Sequence, residues 1–191
     1  MKGRESGMPE KDVWEGFFNP AEVLHTMGLN AAVNDVAEFG CGYGTFTIPA
    51  AKIIKGQIYA IDIDSQMADM TKQAAEKEEL KNVVTIVRDF VEKGTGLDGE
   101  SVDYVMLFNI LHIENPTALL QEANRILRQG GRLGIVHWNY DSRTPRGPSM
   151  DIRPKPQQCI EWASAVGFNN AEQFDLKPFH FGIILRKKKF I

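Results

Sequence analysis

Short apolar segments alternate with longer amphipathic segments through most of the chain. The short segments have the length of buried strands, and the longer ones space their apolar positions as helices do. Strands that alternate with helices need crossover connections, so they form a parallel sheet that is covered on both faces. The pattern therefore predicts an α/β fold, with strands at 36–39, 57–63, 83–87, 102–108 and 132–137 and two closing strands at 171–176 and 179–186.

Capping residues and glycines predict where the helices begin and end. Asn19-Pro20 and Asn115-Pro116 each place an asparagine N-cap before a proline at the first helical position, where the missing N–H costs nothing. Thr45 is the predicted N-cap of the helix after the first strand, and Asp64 has the same role after the second strand. The remaining predictions are helices at 65–80 and 157–166, helix ends at Gly28, Gly56, Gly130-Gly131 and Gly167, and a loop at 92–101.

The segment Glu38-Phe39-Gly40-Cys41-Gly42-Tyr43-Gly44 lies between the first predicted strand and the helix that follows it. Alternate glycines let the backbone turn sharply and let a ligand approach closely, because no Cβ blocks positive φ. Glu38 adds a negative charge at the carboxyl end of the strand, where open α/β sheets bind ligands. The ligand is therefore expected to carry positive charge. A dinucleotide site would instead need Gly-x-Gly-x-x-Gly, a register that puts Thr45 in place of the third glycine.

The motif Glu-x-Gly-x-Gly-x-Gly resembles the first motif of class I S-adenosylmethionine-dependent methyltransferases, whose cofactor carries an ammonium and a sulfonium. The resemblance covers about 36–137, and the core is similar to that of quinone-biosynthesis methyltransferases. It implies a Rossmann-like, doubly wound, mostly parallel seven-stranded sheet of order 3-2-1-4-5-7-6, with the last strand antiparallel and helices on both faces. Independently, the connection Lys177-Pro178 is too short for a crossover, so the last two strands should pair antiparallel.

Acidic residues after the second and third strands are candidates for nucleoside binding. Asp62 lies where a carboxylate can accept hydrogen bonds from both ribose hydroxyls in either nucleotide fold. The resemblance implies that Asp89 reaches the adenine amino group and that Phe90 packs on the ring, while a loop aspartate and a core phenylalanine are the alternative. It also implies that Asn109 holds the ammonium through its carbonyl. The predicted cofactor-binding residues are Glu38, Gly40, Gly42, Gly44, Asp62, Asp89, Phe90 and Asn109.

Two histidines are predicted at the carboxyl ends of strands. His112 and His137 could each accept a substrate proton near neutral pH, and they are the predicted catalytic residues. Hydrogen-bonded packing is the alternative for both. Further candidates for a substrate wall, a lid or an anion clamp, each with packing or solvation as the alternative, are Trp14, Phe17, Phe18, Trp138, Tyr140, Arg143, Arg146 and Arg153.

Length and charge limit the number of domains and the kind of partner. A chain of 191 residues with 43% hydrophobic content suits one domain, 1–191, with an N-terminal cap segment at 1–33 and a substrate-side loop at 138–156. The net charge is −3, and the dense basic run at 186–189 stands at the end of the chain. This distribution lacks the basic surface of a nucleic-acid binder, so no nucleic-acid partner is expected.

Cysteine usage and hydropathy predict a cytoplasmic location. Cys41 and Cys159 have neither the spacing of a zinc site nor the number of a disulfide framework. Residues 1–12 lack the apolar core of a secretion signal, and no apolar run reaches the length needed to cross a bilayer. We therefore expect no metal and no membrane partner.

Together these features predict transfer of the methyl group of S-adenosylmethionine to a small-molecule acceptor. Two cysteines are too few for an arsenite methyltransferase of this class. Methyltransferases that act on DNA base amines carry an Asp/Asn-Pro-Pro-Tyr/Phe motif after the fourth strand, and this chain lacks that motif there. Two alternatives stay open. One is an NAD-dependent oxidoreductase, and the other is a non-catalytic protein that binds S-adenosylmethionine without transferring its methyl group.

Overall fold

A seven-stranded sheet organises residues 9–189, the part of the chain that the computed structural model describes. Its strand order is β3-β2-β1-β4-β5-β7-β6. All neighbouring strands pair parallel except the two pairs that involve β7. The predicted order and the reversed last strand are therefore confirmed. The strands are β1 (Val36–Phe39), β2 (Ile58–Asp62), β3 (Val83–Val87), β4 (Val102–Phe108), β5 (Leu127–Trp138), β6 (Phe168–Leu176) and β7 (His180–Lys187).

Helices cover both faces of this sheet, and two apolar layers fill the space between. Along β4, Val105 and Leu107 belong to one layer, while Tyr104 and Met106 belong to the other. Because both faces of β4 are buried, its sequence is a continuous apolar run rather than an alternating one. The helices are α1 (Lys11–Glu15), α2 (Pro20–Thr26), α3 (Thr47–Ile53), α4 (Ser65–Lys77), α5 (Phe90–Lys93), α6 (Pro116–Ile126) and α7 (Pro156–Ala165).

Three of the predicted helix caps are confirmed, and one is wrong. The side chains of Asn19, Asp64 and Asn115 each accept a hydrogen bond from the first turn of the helix that follows. By contrast, α3 begins only at Thr47, and Phe46 occupies its N-cap position. The turn of the glycine loop ends at Gly44, whose N–H donates to the carbonyl of Cys41, so the helix starts later than the pattern indicates.

The predicted end of α6 at Gly130-Gly131 is also wrong. The helix ends at Ile126, and β5 begins directly afterwards and runs through both glycines. Gly130 has φ +74°, and the register between β5 and β4 shifts at this point, between Val102 and Tyr104. The glycines therefore accommodate an irregularity inside a strand.

Smaller differences concern element boundaries. The predicted helix 65–80 ends at Lys77, and α3 ends at Ile53, before Gly56. The first residues of the predicted loop 92–101 belong to α5. β6 begins at Phe168 rather than near Ala171. The sequence does not indicate the first residues of this strand, because most of its side chains are exposed and it lacks an apolar alternation.

The irregular stretch between β5 and α7 consists of residues 139–155. The first eight residues of the predicted cap segment 1–33 lie outside the described residues, and the division of the chain into a cap, a core and a substrate-side loop stays a prediction. Within residues 9–189, no helix is long and apolar enough to span a membrane.

Candidate active site

A cavity of about 340 Å³ opens at the carboxyl ends of β1, β2 and β4. This is the end at which open α/β sheets bind ligands, and the volume suits a small molecule. The sheet order makes these three strands neighbours, so residues distant in sequence meet at one edge. Of the predicted site residues, the cavity is lined by Glu38, Gly40, Gly42, Asp62, Phe90, Asn109 and His112.

Three predicted site residues, Gly44, Asp89 and His137, are not among the residues that line the cavity. Gly44 has φ +78° and packs against α4, where a Cβ would come within 3.2 Å of the Thr71 hydroxyl. Asp89 is the N-cap of α5, and its carboxylate accepts a hydrogen bond of 3.2 Å from the Glu92 N–H. His137 is fully buried. The assignment of these three residues to the site, like that of the other predicted site residues, stays a prediction.

The amides of the glycine loop are already engaged within the protein. The N–H groups of Gly40 and Cys41 both donate to the carbonyl of Ile61 at the end of β2. The Gly42 N–H donates to the Asp62 carboxylate at 2.9 Å. A phosphate-binding loop presents such N–H groups to its ligand, and this one uses them to join β1 to β2. These three positions therefore offer no free N–H group to an anion.

Glu38 is a buried carboxyl group at the end of β1. Its side chain is 2% exposed, and the hydroxyl of Thr47, in the first turn of α3, donates a hydrogen bond to it. Burial raises the pKa of Glu38 from 4.5 to about 8, since the Thr47 hydrogen bond offsets only part of the desolvation cost and nearby Asp62 adds to it. At neutral pH the free protein thus keeps this carboxyl mostly protonated.

Asp62 places a second carboxyl group beside the first. Its two oxygens accept hydrogen bonds from the Gly42 N–H at 2.9 Å and from the Asp64 N–H at 3.0 Å. Burial raises its pKa, although these backbone hydrogen bonds oppose the change. Among residues 9–189, neither Asp62 nor Glu38 has a lysine or arginine in ion-pair range. The cavity therefore favours a ligand that brings positive charge and hydrogen-bond donors.

Open space and unpartnered polar atoms indicate where such a ligand contacts the wall. A Cβ added at Gly40 would meet Ile110 at 3.0 Å, and among residues 9–189 no such neighbour stands beside Gly42. Buried polar atoms of Thr45 and Asn109 have no hydrogen-bond partner within the described chain. Buried polar atoms normally have a partner, so both side chains are suited to hydrogen bonding with a bound molecule.

The two predicted catalytic histidines form a pair. Nδ1 of His112, on the cavity wall, lies 3.3 Å from Nε2 of His137, which is buried behind it. Burial lowers the pKa of His112, and it lowers the pKa of His137 still further. Both rings are therefore neutral at physiological pH, and only His112 can touch a substrate.

The side of the cavity away from Asp62 is apolar and aromatic, apart from one arginine. Trp138, at the end of β5, and Trp14, near the end of α1, both line it. Phe17 packs edge-on against Trp138, with 5.2 Å between the ring centroids, and so helps to hold the N-terminal segment over the sheet. Tyr140 is 44% exposed and lies outside the wall. Other residues that line the cavity are Pro9, Ile113, Arg146, Gly147, Pro148 and Ile152.

Comparison with known proteins identifies the family. The family described as methyltransferase domain matches residues 36–131, which is half of the chain. The chain belongs to the class I S-adenosylmethionine-dependent methyltransferases. The matched range contains the glycine loop, both buried carboxyl groups and His112, and S-adenosylmethionine is the cofactor of the family. Membership favours this cofactor over the dinucleotide alternative, in agreement with the engaged amides of the loop.

Individual relatives support the same family. The chain is 32% identical to the uncharacterized protein YafE of Escherichia coli over 127 residues, which cover 66% of this chain and 58% of that protein. It is 31% identical to the ubiquinone/menaquinone biosynthesis C-methyltransferase UbiE of Rhizobium johnstonii over 149 residues, covering 78% and 55%. A crystal structure of a methyltransferase from Aquifex aeolicus has the same fold, with a TM-score of 0.82, 23% identity and coverage of 93% and 94%. The chain spans only part of its curated relatives: the match covers 58%, 33% and 60% of the length of the first three.

Several residues of this methyltransferase site carry little signal in the sequence. Thr47 and Thr71 bond to Glu38 and to the carbonyl of Gly42, but they are ordinary residues of amphipathic helices. A polar residue on the buried face of α3 or α4 is the one local sign of their role. Ile113 and Pro9 reach the cavity only through the packing of the loops that carry them.

The buried carboxyl of Glu38 predicts a pH-dependent stability of the cofactor-free methyltransferase. The pKa of Glu38 is 4.5 in an unperturbed chain and about 8 in the folded protein. The folded protein therefore holds this proton more tightly than the unfolded chain does, and the free energy of unfolding falls as the pH rises from about 4.5 through 8. Glu38→Gln keeps an acceptor for the Thr47 hydroxyl and removes the charge. We expect this variant to be more stable than the wild type at about pH 9, by roughly 3–5 kcal/mol, in urea unfolding, with a difference that shrinks toward about pH 5.

The matched control is Glu172→Gln, at an exposed glutamate of β6. It should leave the stability unchanged at both pH values. An advantage of Glu38→Gln that is the same at both pH values would contradict a protonated, buried Glu38.

Proposed function

We propose that this protein transfers the methyl group of S-adenosylmethionine to a small-molecule acceptor. The observation that carries the proposal is the pair of buried carboxyl groups, Glu38 and Asp62, which face the cavity and have no lysine or arginine of residues 9–189 in ion-pair range. S-adenosylmethionine has positive charge and donor groups, so it fits this wall where a dinucleotide does not. When bound, it supplies a methyl group on a sulfonium, which is a good leaving group.

The cofactor residues divide the binding task by their chemistry. Glu38 meets the positive part of the cofactor, and Asp62 accepts hydrogen bonds from ribose hydroxyls. Phe90, which is buried on the cavity wall, offers an apolar surface to the adenine ring. Asn109 has φ +55° and a buried amide with no hydrogen-bond partner among residues 9–189, so it can bind the polar end of the cofactor. Gly40 and Gly42 leave room for it, Gly44 lets the loop pack against α4, and Asp89 caps α5, which begins with Phe90.

For an acceptor that must lose a proton, His112 is the group on the wall that can take it. In the required tautomer, His112 donates its Nδ1 hydrogen to Nε2 of His137, which leaves Nε2 of His112 free to accept. His137 acts through His112 and holds its ring in place. The apolar wall excludes water, and positioning of the reactants supplies the rest of the rate enhancement.

A small acceptor fits this site better than nucleic acid does. The chain has a net charge of −3, and the cavity of about 340 Å³ suits a compact ligand. Membership of the family does not by itself exclude a nucleic-acid substrate, so this part of the proposal rests on charge and cavity size. The two buried free thiols, Cys41 and Cys159, are compatible with a reducing cytoplasm.

Asp62→Asn is expected to weaken the binding of S-adenosylmethionine by about 10- to 100-fold, which corresponds to roughly 1.5–3 kcal/mol. The carboxylate oxygens already accept two backbone hydrogen bonds, and an asparagine has only one acceptor oxygen for them and for the ligand. Isothermal titration calorimetry measures the change.

Asp64→Asn is the control for this variant, because asparagine can also cap α4. It should bind the cofactor as the wild type does. Wild-type affinity in Asp62→Asn, or an equal loss in Asp64→Asn, would remove Asp62 from the cofactor site.

Transfer itself is tested with S-adenosylmethionine that carries a radiolabelled methyl group, incubated with fractionated cell extract. We expect label in a small-molecule fraction. With an acceptor that loses a proton, His112→Gln should lower the rate by about 10²- to 10⁴-fold. His25→Gln, at an exposed histidine of α2, should not. Binding without transfer in any fraction would favour the non-catalytic alternative, and a wild-type rate in His112→Gln would exclude His112 as the base.

A further inference from the structure

The loop 139–155 is built around a buried guanidinium group. The Arg153 side chain is 7% exposed and donates hydrogen bonds to five oxygen atoms of the same loop. They are the carbonyl oxygens of Asn139, Asp141, Arg146 and Pro148 and the hydroxyl of Thr144, at 2.7–3.3 Å. A planar guanidinium with several fixed donors is suited to such an arrangement.

The same guanidinium holds the loop against the cavity wall. Gly147 has φ +116°, and a Cβ at this position would lie 2.7 Å from the Arg153 side chain and 2.8 Å from the ring of Trp138. Only glycine fits this gap without a shift. The backbone at 146–148 is therefore clamped between Arg153 and Trp138, and all three of its residues line the cavity.

Positive charge on this side of the cavity is not neutralised by an ion pair. Within the described chain, neither Arg146 nor Arg153 forms a salt bridge, and the Arg146 side chain has no hydrogen-bond partner. Asp141 of the same loop pairs with Arg143 at 2.7 Å. Burial lowers the pKa of His180 to about 3, and the charge of Arg153 contributes to this.

The two ends of the cavity thus differ in charge. Glu38 and Asp62 lie at the ends of β1 and β2, whereas Arg146 belongs to the loop that packs against Trp138 at the end of β5, and Trp14 lines the same cavity. A second ligand placed there meets apolar ring faces and a cation that has no ion-pair partner within residues 9–189. We propose that the methyl acceptor is an anion with a flat apolar body, whose carboxylate or comparable anionic group binds Arg146 while the body contacts the rings of Trp14 and Trp138.

This inference rests on the proposed function, and it goes further by naming the chemical class of the acceptor. An apolar body is favoured because the wall offers ring and aliphatic surface at Trp14, Ile113, Trp138 and Ile152. An anionic group is favoured because a carboxylate pairs with a guanidinium through two parallel hydrogen bonds. Arg153 fixes the backbone that presents Arg146.

The test compares two probes of nearly identical shape, 2-naphthoate and 2-naphthamide, by calorimetric titration of protein saturated with S-adenosylhomocysteine. We expect the naphthoate to bind about tenfold more tightly than the amide, as a charge-assisted pair requires. Arg146→Gln should lower the affinity for the naphthoate until the two probes bind about equally well, and it should leave the affinity for the amide unchanged. Arg143→Gln is the matched control on the same loop, since Arg143 is exposed and already paired with Asp141; it should keep the preference.

Three results would overturn the inference: equal affinity of the wild type for both probes, binding of neither probe, or an equal loss of preference in Arg143→Gln and Arg146→Gln. The last result would indicate a general effect of charge rather than a contact at Arg146. A protein that fails to bind S-adenosylhomocysteine in the same titration would contradict the proposed function itself. Failure of the acceptor class and failure of the function are thus distinguishable.

Discussion

The site depends on the cost of burying a carboxyl group that no lysine or arginine of residues 9–189 neutralises. Glu38 is held at the end of β1 by the sheet on one side and by the Thr47 hydroxyl on the other, and burial shifts its pKa to about 8. Asp62 adds a second carboxyl at the neighbouring strand end. Such a wall is unfavourable in the free protein, and a ligand with positive charge relieves it. A cationic ligand that neutralises these carboxyl groups offsets the cost of burying them, and this favourable change contributes to the free energy of binding.

Backbone hydrogen bonding makes this wall selective as well as acidic. The glycine loop could in principle bind a phosphate, but the amides of Gly40, Cys41 and Gly42 are engaged with the end of β2. An anion would therefore find carboxyl groups and no free donors at these positions. At the other end of the cavity the charge is positive, because Arg153 uses its donors on loop carbonyls and the Arg146 side chain has no ion-pair partner among residues 9–189. One cavity thus offers opposite charges to two different ligands.

The sequence predicts the elements near the site better than the contacts within it. The bounds of β1, β3 and β4 match, because buried apolar runs between glycines or polar loops carry a strong local signal. The glycine pair at 130–131 misleads, since a glycine at positive φ serves equally in a strand irregularity and at a helix end. The burial of His137 and the clamp formed by Arg153 arise from long-range packing, so no local pattern indicates them. The sequence also fails to indicate the first residues of β6, because this edge strand is mostly exposed and its side chains do not alternate between apolar and polar.

The most direct test of the account is the proton balance of cofactor binding. Calorimetric titration of S-adenosylmethionine near pH 7, in buffers of different ionisation enthalpy, measures the protons that leave the protein on binding. The pKa of about 8 in the free protein predicts the release of about one proton as Glu38 ionises beside the cation. The Glu38→Gln variant should release none. Binding to the wild type without buffer dependence would contradict the claim that this buried carboxyl group selects the cofactor.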